Sequence, residues 1–429
     1  MAALGRYAKS LEQLERARRV TPLGTQTFSK STKTLPAGLA PLYSDRAKAG
    51  RIWDIDGNEY VDLMSALASV NLGYADSEIN AAVAGQLERG TTISLTHPIE
   101  AEVAQLVIDL VPCAEKVKFG KNGSDATTAA IRIARAHTGR DHLVTCGYHG
   151  WQDWFIGSMD SRSLGVPQAY ADLIHPTPYN DLGALEDLLS SQAVAAVVIE
   201  PMTFIWPEPG YLAGVKELAH RYGALLIFDE MVTGFRFAPG GAQEYFDVTP
   251  DLATFGKGIA NGYPLSAVAG RAELIDVLET AFISGTFGGE LLSLTAAKVV
   301  LERIKGSDVV ARVAQTGKEL AQRVDSEIEA AGLGDVLSLQ GHDAWKFLIW
   351  NPEAQEIDAL KYLFMQEMSR NGVLMIATHN VTAAHDAADL DHVVAAYRAT
   401  FAVLNEAIRG NDAAARLDGD IAEIGRSIR

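Results

Sequence analysis

Three short stretches of the chain are apolar almost without a break and then stop abruptly. They are Val194-Ala-Ala-Val-Val-Ile199 before Glu200, Ala224-Leu-Leu-Ile-Phe228 before Asp229 and Glu230, and Leu252-Ala-Thr-Phe255 before Gly256-Lys257-Gly258. A strand that is apolar on both faces must be covered on both, unlike a half-buried strand, whose side chains alternate. Lys116-Val-Lys-Phe119 and His142-Leu-Val-Thr-Cys146 read as further strands, with helical patterns in between. Such alternation predicts an α/β class: a mostly parallel central sheet flanked by helices.

The chain ends read differently. Residues 8–19 form a charged amphipathic helical pattern stopped by Thr21-Pro22-Leu23-Gly24. Arg51-Ile-Trp-Asp-Ile55 and Glu59-Tyr-Val-Asp-Leu63 flank Asp56-Gly57-Asn58, a hairpin pattern. From about Val309 the sequence is helix-rich, with one strand near Ala344–Ile349 and a polar tail after Gly410. The expected organisation is a large domain over residues 66–308, with residues 1–65 and 309–429 joining as a smaller α+β domain.

Asp and Glu number 54 against 37 Lys and Arg, a net charge of −17, which argues against a nucleic acid or an anionic membrane as partner. No apolar stretch approaches the roughly 20 residues of a bilayer helix. Cys113 and Cys146 are too few for a disulfide framework and read as reduced thiols of a cytoplasmic protein. The ten histidines show no metal-ligand spacing, so no metal is expected, and most read as capping or surface residues.

Ligands of parallel α/β sheets bind at the carboxyl ends of the strands, and four such ends carry chemistry here. Gly123-Ser124 opens a helix after a strand and offers N–H groups, a hydroxyl and the helix dipole to a phosphate; plain capping by Ser124 or Asp125 explains it equally well. Gly147-Tyr148-His149-Gly150 can lay an aromatic ring over a planar ligand, or simply bury a tyrosine. Asp229 can sit beside a ring nitrogen, where opposite charge favours the protonated form, or cap the next element. Lys257, between two glycines, can condense with an aldehyde, or be a surface lysine. Together the four make the binding kit of pyridoxal phosphate (PLP).

The segments Leu225-Leu-Ile-Phe-Asp-Glu-Met-Val-Thr-Gly-Phe-Arg236 and Asp251-Leu-Ala-Thr-Phe-Gly-Lys257-Gly-Ile-Ala-Asn-Gly-Tyr-Pro264 resemble class III aminotransferases of PLP fold type I. The resemblance is particularly to the branch near glutamate-1-semialdehyde aminomutase and runs from about residue 20 to 405. The resemblance implies a Schiff base on Lys257, Asp229 on the pyridine nitrogen, Tyr148 stacked on the ring and Met231 against its other face. It also implies Gly123 and Ser124 on the phosphate and Glu200 near the cofactor. Thr286 would reach the phosphate of the neighbouring subunit's PLP, hence a homodimer with shared sites.

The substrate half departs from the aminomutase pattern. Lys30 follows Pro22-Leu23-Gly24 where that enzyme leads to an arginine, and an ammonium is not a bidentate guanidinium. Trp151 replaces the second histidine of His-Gly-His, and the stretch around Asn380 lacks an acid. Lys30, Trp151 and Asn380 are therefore the candidate substrate residues. The expected function is ping-pong transfer of an amino group from an amine or amino acid to a carbonyl acceptor, the alternative being intramolecular migration by an aminomutase.

Overall fold

The structure, a computed structural model, describes residues 5–159 and 161–418. Two compact units emerge. One comprises Ala66–Asn71 and Ser77–Arg312; the other, within the described residues, comprises the chain up to Ser65, Leu72–Asp76 and everything from Val313.

The second unit contains three early strands, β1 (Ser44–Lys48), β2 (Arg51–Asp54) and β3 (Glu59–Asp62). The β2–β3 hairpin pairs Arg51 with Val61 and Trp53 with Glu59, and Gly57 takes a φ of 93° in its turn, a conformation natural to glycine. The helix Ala8–Arg18 precedes it, burying Leu14 and Ala17 and leaving its charges outward.

The large unit holds β4 (Lys116–Gly120), β5 (His142–Cys146), β6 (Ile174–Pro176), β7 (Val194–Ile199), β8 (Leu225–Asp229), β9 (Leu252–Phe255) and β10 (Ser266–Gly270). They form one sheet in the order β4-β10-β9-β8-β7-β5-β6. From β9 to β6 every pairing is parallel. Only β10 is reversed, antiparallel to both β9 and β4. Val197, Val198, Ile199, Leu226, Ile227 and Phe228 are each 1% exposed or less. Burial at that level contributes about 1.5–3 kcal/mol per large side chain, which is why these runs occupy the middle of the sheet. The helix Gly123–Thr138 packs Ala130, Ile131, Ile133 and Ala134 into the same core.

Two strands of the large unit lie outside the sequence expectation. β6 is three residues long and ends in Pro176, which cannot donate to a ladder and sits at the sheet edge. β10 reads Ser-Ala-Val-Ala-Gly, with a single β-branched residue, so pairing on both sides rather than propensity makes it a strand.

The second unit adds β11 (Leu337–His342), β12 (Trp345–Trp350), β13 (Val373–Leu374) and β14 (Thr378–Asn380). Its sheets run β1-β2-β3-β13 and β11-β12-β14. Leu360, Leu363, Phe364, Tyr397, Phe401 and Leu404 from two long helices close its core. The tail beyond residue 418 lies outside the described residues. Among the described residues no helix is long and apolar enough to cross a membrane, and no group of three or more His, Cys, Asp or Glu side chains could hold a metal.

Candidate active site

β4, β5, β7, β8 and β9 all end at one edge of the large sheet, and each end delivers part of the site. After Gly120 the helix Gly123–Thr138 is capped by Asn122, whose Oδ1 accepts the Asp125 N–H at 3.3 Å. Asp125 Oδ2 reciprocates with the N–H groups of Asn122 (3.0 Å) and Lys121 (2.9 Å). Capping therefore falls to Asn122 and Asp125. Ser124 instead turns its Oγ toward the Trp151 N–H, 3.4 Å away. Gly123 and Ser124 stand at the positive end of a 16-residue helix, where an anion is stabilised.

After β5 the chain needs glycine twice. Gly147 and Gly150 have φ values of 111° and 108°. A Cβ on Gly150 would come within 2.4 Å of Ser124 Oγ, and one on Gly147 within 2.9 Å of Glu200 Cγ. The loop is thus wedged between the helix N-terminus and the acid at the end of β7. Tyr148, between these glycines, stays 39% exposed, its ring edge-on to Phe155 at 5.6 Å.

The next residue, His149, is buried. Its Nδ1 lies 2.9 Å from Asp229 Oδ2, and its ring packs edge-on to Phe155 and parallel to Trp154. Asp229 ends β8 and is 3% exposed. Its other oxygen, Oδ1, accepts the Met231 N–H at 3.1 Å and faces Thr254 Oγ1 at 3.5 Å. A carboxylate buried this deeply needs such donors. The neighbouring Glu230 has a separate task. It accepts from Thr233 Oγ1 and from the N–H groups of Ala242 and Gln243, binding the following loop, and burial raises its pKa.

β9 delivers Lys257, half-buried, with a φ of 42°. A non-glycine residue in the left-handed region costs about 1–3 kcal/mol and is held only when its surroundings over-determine it. Here the flanking glycines allow close packing. A Cβ on Gly256 would meet Met231 Sδ at 2.7 Å, and one on Gly258 would meet the Asn71 amide at 2.3 Å.

Of the remaining sequence candidates, Thr286 and Trp151 belong to the large unit and Lys30 and Asn380 to the other. Thr286 is exposed between Phe282 and Phe287, themselves 80% and 57% exposed, and Lys121 Nζ holds this segment through Glu290 at 3.0 Å. Trp151 is 64% exposed. In the other unit Lys30 is exposed, and its charge lowers the pKa of Asp62 against the stronger upward effect of burial. Asn380 is buried, its amide donating to the Met64 carbonyl at 2.8 Å, so that side chain braces backbone.

His149, His342, His379 and His385 are buried, while the other six histidines are exposed or partly exposed. Sequence reasoning missed His149 because it read the Gly147–Gly150 turn for its tyrosine alone. Position next to that ring, inside a glycine-bounded turn, was the available clue.

These features fit PLP: a helix N-terminus for a phosphate, a buried carboxylate held on both oxygens, a partly exposed ring and a strand-end lysine. Residues 36–384 match the family model "Aminotransferase class-III". A 3-aminobutyryl-CoA aminotransferase of Cloacimonas acidaminovorans is 34% identical over 415 residues, covering 94% of this chain and 99% of the relative. A glutamate-1-semialdehyde 2,1-aminomutase of Chloroflexus aggregans is 32% identical over 438 residues, with the same coverage. Among solved structures, the FumI protein of Sphingopyxis sp. MTA144, in its PLP internal aldimine form, superimposes with a TM-score of 0.87 at 28% identity, covering 94% of this chain and 98% of that one.

Proposed function

The chain belongs to the class III aminotransferase family and is a PLP-dependent transaminase, and from that premise we propose how its residues divide the work. PLP, when bound, supplies an aldehyde that takes up an amino group and a ring that accepts electron density from the substrate carbon. Lys257 holds the aldehyde. The Lys257 Nζ, freed when an amine is bound, would remove a proton from the substrate carbon and later return it. Asp229 keeps a proton on the ring nitrogen by opposite charge. Gly123 and Ser124 bind the phosphate, Tyr148 and Met231 cover the two ring faces, and Glu200 lies beside the cofactor. The convergence of Lys257, Asp229 and the Gly123–Ser124 helix end on one sheet edge carries this reading.

Cofactor binding is assigned to residues 66–308, with residues 1–65 and 309–429 forming the smaller domain, in a cytoplasmic enzyme. Lys30, Trp151 and Asn380 remain the candidates on the substrate side. The substrates are a small amino donor and a carbonyl acceptor. The relative named for 3-aminobutyryl-CoA makes a 3-amino acyl thioester the first donor to try. Mixing the PLP form with donor alone should stop after about one turnover, as the aminated cofactor form, until an acceptor is added. Sustained isomerisation of one substrate without acceptor would select the aminomutase reading, which the 32% identical relative keeps in view.

Thr286 is assigned to the phosphate of the partner's cofactor in a homodimer. The exposed Phe282 and Phe287 beside it support this, because apolar surface of that kind gains from being covered. Sedimentation should show a dimer at assay concentration; a fully active monomer would refute it.

His149 is assigned as the positioning residue for Asp229. His149→Leu leaves Asp229 Oδ2 without its 2.9 Å partner. Loss of a buried hydrogen bond to a charged group corresponds to about ten- to hundredfold in turnover. The pH profile of the cofactor's absorption should shift with it, and His149→Asn, which retains an N–H, should recover part of both. A change in Tm alone, with that profile unmoved, would reduce His149 to a packing role.

A further inference from the structure

Met231 occupies an unusual position among the residues assigned to the cofactor. Its Sδ lies 2.8 Å from where a Cβ on Gly123 would stand and 2.7 Å from where one on Gly256 would stand. The thioether thus fills a notch left by two absent side chains. Its backbone N–H donates to Asp229 Oδ1 at 3.1 Å. One residue therefore touches the phosphate-side glycine, the glycine before Lys257 and the acid assigned to the ring nitrogen. Met64, Met202, Met365, Met368 and Met375 are buried, whereas Met231 is partly exposed, as is Met159, which packs against the core around Trp154 and Phe155.

Resting on the cofactor assignment above, we propose that Met231 is a reversible oxidation site that controls PLP binding. A peroxide is the oxidant. A lone pair of Sδ attacks one peroxide oxygen, the O–O bond breaks and water leaves, so that thioether and hydrogen peroxide become sulfoxide and water. Sulfur is oxidised by two electrons and the peroxide is reduced by two. The product is polar and chiral where the thioether was apolar and adaptable. The notch has no volume for the new oxygen on its two glycine sides, which leaves it the open side that is assigned to the ring. Methionine sulfoxide reductases, one for each epimer, reverse the change with thiol electrons.

The test uses full-length protein stripped of PLP, treated with graded hydrogen peroxide, then mapped by peptide mass spectrometry and titrated with PLP by absorbance. The Met231 peptide should gain one oxygen before those of the five buried methionines. The Kd for PLP should rise about tenfold or more in step with it, and a mixture of both reductases should restore it. PLP added before the peroxide should protect Met231. Met231→Leu, compared with its own untreated sample, should keep its affinity after peroxide, while Met159→Leu should remain as sensitive as the parent. Oxygenation of Met231 with unchanged Kd would overturn the proposal. So would Met231 that resists peroxide until the protein unfolds, or an equal loss of affinity in treated Met231→Leu. Failure of the untreated protein to bind PLP at all would instead identify the cofactor assignment as the error, and the proposal would fall with it.

Discussion

Lys257→Ala is expected to lower turnover by about 10⁴-fold or more, because one side chain both holds the aldehyde and moves the proton. The fold should survive. The φ of 42° at this position is imposed by the surrounding turn, and alanine inherits the same strain as lysine, so the difference reports chemistry rather than backbone. Borohydride treatment of the parent protein should fix a pyridoxyl group on the peptide containing Lys257, and the variant should take up none. Label on a different lysine, or turnover within about tenfold of the parent, would remove Lys257 from its role.

Asp229→Asn should cost about 10³-fold in turnover while the protein still binds PLP. The substitution keeps the volume and leaves an oxygen for the Met231 N–H, but it removes the charge that keeps a proton on the ring nitrogen. It also places an amide opposite His149 Nδ1, which weakens a buried hydrogen bond worth about 1–3 kcal/mol. Thermal unfolding should therefore shift by only a few degrees while turnover collapses. Near-parental turnover in the PLP-bound variant would show that the acid is structural. A loss of turnover fully explained by lost PLP binding would move it from proton holding to affinity.

The strands β7, β8 and β9 were legible because their evidence is local. A run such as Val194–Ile199 can be satisfied only by burial on both faces, and the abrupt change to Glu200, or to Asp229 or Lys257 in the other two runs, marks where the apolar strand ends. Those residues were placed at strand ends by the same pattern that defined the strands. β10 was not legible, because Ser-Ala-Val-Ala-Gly becomes a strand only through the neighbours that pair with it, and which neighbours those are depends on strand order.

The local pattern of polarity thus determined the α/β class, the strand ends and the residue types found there, since each follows from how a short segment must be buried. The tertiary structure alone decided the partners. His149 meets Asp229 across 80 residues, Met231 fills a notch between Gly123 and Gly256, and Asn380 turns inward to the Met64 carbonyl. Hydrophobic periodicity specifies which face of an element is buried but not which element lies against it, so contacts distant in sequence are fixed only when the sheet order and packing are.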